Sequence, residues 1–171
     1  MNRRPGPTSI ALTVVGALLL GWWTVLREYD QQPAWALVLF ALALLCWVAR
    51  TVLARTAWSR TAAMLAAAAV VLGAVAGPAT QGNALVPAAV CLLVLVGDPE
   101  LPLPLGIAAG LAAMGLIGVG ALIDPLPTAA LATMLGVAVI AVLAGFSRRQ
   151  GRQAQQREAL LAQREVAIRE E

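Results

Sequence analysis

Side chains able to do chemistry are scarce in this chain, and their spacing excludes most reactions. There is no histidine among 171 residues, which removes the commonest general base, the commonest metal ligand and any phospho-accepting imidazole. Cys46 and Cys91 both fall inside apolar runs, with no His or second Cys at a metal-ligand spacing. They are expected to be small core residues. No Gly-rich phosphate loop, paired-carboxylate site, nucleophile elbow or metal motif occurs at a usable spacing. No catalytic, cofactor-binding or metal-ligating residue is therefore assigned within the chain.

The remaining reactive class is arginine. All twelve basic residues are Arg, against nine acidic ones, for a net charge of +3. With the abundance of Ala, this bias points to a GC-rich bacterial coding sequence. Six of the Arg follow Phe146, where they set topology and meet anionic headgroups. Nucleic-acid binding needs a basic patch with a reading motif, and the sequence has none.

The elements that carry these residues are apolar. With 60% hydrophobic and 12% charged residues, the composition lies far from the roughly half-apolar, quarter-charged mix of soluble domains. Ala, Leu, Val and Gly at low aromatic content suit helices packed closely in lipid. The expectation is an all-α integral membrane bundle of about six transmembrane helices ending in a charged cytoplasmic helix. Its divisions are a cytoplasmic N-terminus (1–9), a six-span region (10–146) and a cytoplasmic signalling helix (147–171).

Six apolar runs support that count: Ile10–Leu26, Ala34–Ala49, Thr61–Val75, Ala84–Gly97, Leu105–Ile123 and Thr128–Phe146. The first begins like a signal peptide, but no small-x-small cleavage site follows, so it is read as an uncleaved span. The fourth is short, contains Pro87, and has a re-entrant loop as its alternative. Arg placement decides for an even number, because cytoplasmic flanks carry the Arg excess. With the N-terminus inside and six spans, only Arg27 lies outside. Trp22, Trp23 and Trp35 then cluster at the outer face, with Trp47 and Trp58 near the inner one.

Within the runs, Gly106 and Gly110 form a small-xxx-small pair, continued by Gly115, Gly118 and Gly120. This pattern lets helices approach closely, and packing within the bundle is preferred to a dedicated dimer face. No charged side chain sits inside a run, which disfavours ion-coupled transport. The tail beyond Phe146 should be helical, with Ala154, Leu161 and Ile168 recurring every seven residues and Glu165 four before Arg169. A solvated helix and a dimeric coiled coil both fit that pattern.

Several spans with short outer loops, the exit Gly145-Phe146-Ser147-Arg148-Arg149-Gln150, and a tail closing on Glu165-Val166-Ala167-Ile168-Arg169-Glu170-Glu171 resemble membrane-embedded bacterial sensor histidine kinases. The loop Gly97-Asp98-Pro99-Glu100-Leu101-Pro102-Leu103-Pro104 is similar to the Pro-rich inner loop of that group. The resemblance implies a homodimer in the plasma membrane, multi-pass, with both termini cytoplasmic. It also implies that the histidine box, the ATP and Mg site and the response-regulator contact belong to sequence beyond Glu171. The alternative is a small permease-like subunit or membrane scaffold. Outer loops at Arg27–Pro33, Gly77–Asn83 and Asp124–Pro127 are too short to fold as a ligand-binding domain, so a sensed stimulus would act at the bilayer.

Overall fold

The computed structural model describes residues 7–28, 32–54, 59–123 and 126–170, with side chains described over 10–24, 32–54, 60–123 and 126–163. These residues form six helices and no strand: α1 (Pro7–Glu28), α2 (Ala34–Leu53), α3 (Ser59–Ala76), α4 (Leu85–Gly97), α5 (Leu103–Ile123) and α6 (Thr128–Glu170). Most of the helices outrun the apolar runs. Backbone hydrogen bonding continues through flanking polar residues that hydropathy leaves out, so Arg50 falls in the last turn of α2.

Length separates the helices into two groups. Three are long and apolar enough to cross a membrane: α2, α5 and the first part of α6. The apolar parts of the others, Ile10–Thr24, Arg60–Ala76 and Leu85–Gly97, are shorter. Length and composition thus establish three crossing-competent helices where the apolar runs count six. The shortest is α4, whose 13 residues span about 20 Å, against about 30 Å of hydrocarbon.

That short helix lies at the centre. Leu85, Pro87, Ala88, Cys91, Leu92, Leu95, Val96 and Gly97 are all buried, by contact with α2, α3, α5 and α6. Pro87 lies in the first turn, where helix N–H groups have no intrahelical acceptor, so its missing donor costs little. The outer helices each bury one stripe at helical spacing. On α2 it includes Ala36, Phe40, Ala43 and Thr51, and on α5 Gly106, Gly110, Ala113 and Ile117. The stripe on α6 is Met134, Ala138, Ala141 and Gly145. Helix α1 lies against α2.

The distribution of side-chain size is inverted relative to a soluble core. Ala dominates the buried set, while Leu12, Leu122, Ile123, Ile140 and Leu143 are each more than 60% exposed. Exposed apolar surface of this extent marks a membrane or protein contact face. Small interior residues let backbones approach, which drives helix association where lipid tails are as apolar as leucine.

Candidate functional site

Two sets of loops cap the bundle. At one end the turn after α3 meets the end of α5 and the start of α6, for a Cβ on Gly120 would touch Pro78 and one on Gly82 would lie 3.7 Å from Met134. This turn is built on Thr80, fully buried. Its Oγ1 donates to the Ala76 carbonyl at 2.8 Å and accepts the Ala84 N–H at 3.1 Å. Gln81 and Gly82 follow with φ of +49° and +92°, which reverse the chain into α4.

At the opposite end α4 finishes against α6. A Cβ on Gly145 would lie 2.7 Å from Val96 Cβ and 2.8 Å from the Leu93 carbonyl oxygen, and one on Gly97 would lie 3.2 Å from the Gly145 carbonyl oxygen. Backbones this close need glycine. The contact sets Arg148 and Arg149 beside the α4–α5 loop, where Arg149 Nη1 donates to the Asp98 carbonyl oxygen at 3.2 Å. The Asp98 carboxylate is partly engaged locally, its Oδ1 accepting the Glu100 N–H at 3.0 Å. Arg50 is half-buried and within electrostatic reach of Asp98, Arg148 and Cys91.

Every charged residue with a described side chain lies at this end or on the tail beyond it: Arg50, Arg60, Asp98, Glu100, Arg148, Arg149, Arg152, Arg157 and Glu158. Among the described residues, Arg50, Arg148 and Arg149 make no ion pair with a carboxylate. Arg148 and Arg149 thus lie beside the end of α4, with Arg50 within electrostatic reach of the same loop.

The two cysteines are free, Cys91 fully buried in the main core and Cys46 partly buried against it. Among the described residues no three His, Cys, Asp or Glu side chains are grouped to hold a metal ion. The cavity between α3, α4, α5 and α6, about 10 Å³, is lined by Val70, Leu92, Ile117, Met134 and other apolar side chains. It is about the size of one water and offers that water no hydrogen-bond partner.

The glycines divide by position. A Cβ at Gly106 would lie 3.0 Å from Val96, and one at Gly110 2.8 Å from Val142, so this pair packs inside the bundle. Gly115 and Gly118 face open space. The tightest α4–α6 contact, at Gly145, escaped sequence reasoning, although Ala141 and Gly145 form a small-xxx-small pair. The Arg149–Asp98 bond joins positions 51 residues apart and carries no local signal.

Trp22, Trp23 and Trp35 are exposed. Trp47 is instead partly buried against the core, with Gly16 of α1 beside its ring, and the Trp58 side chain lies outside the described residues. Beyond Phe146 the helix continues unbroken, and residues 150–163 are exposed throughout. Ala154 and Leu161 are among them; the side chains of Glu165, Ile168 and Arg169 lie outside the described residues. No known family model, curated protein or solved structure matches this chain.

Proposed function

We propose that this chain is the membrane sensor and signal-transmitting part of a bacterial two-component histidine kinase, coupling a bilayer-level stimulus to its cytoplasmic helix. The observation that supports the reading is α6, a single helix of 43 residues. Its first half is gripped by the bundle through Met134, Ala138, Ala141 and Gly145, and its second half projects about 36 Å beyond Phe146. A change in packing around α4 is transmitted along such a helix as a shift or rotation. In this reading all six helices span the plasma membrane, with α4 enclosed by its neighbours so that its short length does not have to match the lipid. Both termini are cytoplasmic, Arg50, Arg148 and Arg149 lie at the inner face, and the exposed tail pairs with that of a second copy. Histidine box, ATP and Mg site and response-regulator contact follow Glu171.

The test starts with the gene. An in-frame histidine box and ATP-binding region after the codon for Glu171 is expected, with ATP-dependent autophosphorylation of the full-length parent in membranes. A stop codon there, or a downstream region of another class, overturns the kinase reading and favours the permease-like or scaffold alternative.

A further inference from the structure

We propose that the bond from Arg149 to the Asp98 carbonyl is a clasp that sets the direction of the projecting half of α6 and opens when the α4–α5 loop shifts. The inference rests on the reading of α6 as a transmitting helix and names the contact through which the bundle steers it. From Phe146 to Gln163 every described side chain is exposed except that of Arg149, which is half-buried. Arg149 is therefore the last point at which the bundle holds the described part of the helix. The hold before it is Gly145, where a Cβ would lie 2.7 Å from Val96 Cβ and 2.8 Å from the Leu93 carbonyl oxygen. Four residues separate the two on one side of the helix, about 6 Å along its axis. Gly145 alone is a pivot, because it has no side chain to resist a swing. A second hold one turn further on fixes the angle.

The acceptor makes the clasp responsive. Asp98 is the residue that ends α4, and its carbonyl oxygen also receives the Leu101 N–H at 3.4 Å. The Asp98 carboxylate accepts the Glu100 N–H, so the bond that holds Arg149 is to the loop backbone. That loop runs into α5 at Leu103. On α5, a Cβ at Gly106 would lie 3.0 Å from Val96, the residue that also seats Gly145. Movement of α4 against α5 therefore moves the carbonyl. The bond is 3.2 Å long, and roughly 0.5 Å more takes it out of hydrogen-bond range. The projecting half of α6 is then free to swing about Gly145.

The full chain, with Cys46 and Cys91 replaced by Ala, is reconstituted in bilayers, and distances between spin labels are measured by double electron–electron resonance. Labels on Leu111→Cys and Gln156→Cys read the clasp. Labels on Leu111→Cys and Leu45→Cys, both at exposed positions of the bundle, read the fold. Dilution with unlabelled chain leaves only distances within one chain. The clasped chain should give one dominant 111–156 distance. Arg149→Met keeps the stem and loses the donors, and should raise the share of other distances roughly ten-fold, the factor carried by a hydrogen bond from a charged donor. Arg149→Lys should restore most of the clasped population, and Asp98→Asn, which keeps the carbonyl, should match the wild type. Gly106→Ala, which presses on Val96, should open the clasp in the same direction and add little to Arg149→Met. An unchanged distribution in Arg149→Met overturns the clasp. So does an equal effect of Asp98→Asn, which would mean a charge pair, or of Arg148→Gln or Arg152→Gln, which would mean diffuse charge. A 45–111 distance that shifts with the tail in Arg149→Met would mean that Arg149 holds the fold, and overturns it as well. A wild-type distribution in Gly106→Ala, or full additivity with Arg149→Met, overturns the coupling to the loop. These distances need no kinase, so a downstream region without a histidine box removes the sensor reading and leaves the clasp standing.

Discussion

Thr80 illustrates how one polar side chain can hold a connection in an apolar molecule. Its hydroxyl serves the Ala76 carbonyl and the Ala84 N–H, which lie on either side of the positive-φ pair Gln81 and Gly82. Thr80→Val keeps the shape and removes both bonds, leaving the Ala84 N–H unsatisfied in a buried turn. The expected cost is about 1–3 kcal/mol, measured as a loss of thermal stability in detergent, with Thr80→Ser close to wild type. Equal stability of the Val variant would mean that the turn is held by packing alone. Thr24 and Thr51, also buried, donate to the carbonyls four residues earlier. Threonine thus enters an interior otherwise dominated by alanine without an unsatisfied hydroxyl.

At the scale of elements, the fold depends on how closely α4 and α6 approach. Replacing Gly145 by Leu forces a side chain into Val96 and the Leu93 backbone, and an overpacked site of this kind costs about 1–3 kcal/mol. Gly136 lies on the same helix with nothing within 4 Å of an added Cβ. Gly136→Leu should therefore be near neutral, and comparable loss of thermal stability in the two variants would show that α6 does not seat on α4 at Gly145. The same logic extends to Gly106 and Gly110, which close on Val96 and Val142. If the chain belongs to a sensor kinase as proposed, a Gly106→Leu, Gly110→Leu double variant of that kinase that inserts normally should lose signal-dependent autophosphorylation. Unchanged signalling would remove this packed surface from the switch.

For the whole molecule, the proposed orientation is tested by cysteine labelling on a background lacking Cys46 and Cys91. Cys91 is fully buried, so Ala is the replacement that leaves the smallest polar disturbance. A Cys at Gln31, which lies outside the described residues, should react with an impermeant reagent from outside, and one at Ser147 should not. Outside labelling at Ser147 would sink the six-span arrangement. The tail offers a second test, because residues 150–163 are all exposed in the single chain. If two copies pair there, disulfide cross-linking of single Cys variants from Gln153 to Arg169 should peak at Ala154, Leu161 and Ile168. A flat profile would identify a solvated helix.

Helix class, the apolar character and the approximate places of all six helices were legible in the sequence, because hydropathy and the Pro and Gly breaks are local properties. So was the inward packing of Gly106 and Gly110, which needs only one face of one helix. Which helix stands at the centre was not legible. Ala84–Gly97 reads as the weakest run, yet the short helix it forms is enclosed by four neighbours. The partial burial of Trp47, the Arg149–Asp98 bond and the electrostatic reach of Arg50 to Asp98 likewise depend on α2, α4 and α6 lying together. A linear pattern specifies what each helix presents, whereas the partner it meets is set by backbones approaching across long separations, as at Gly145 and Leu93. That geometry exists only once the bundle has closed.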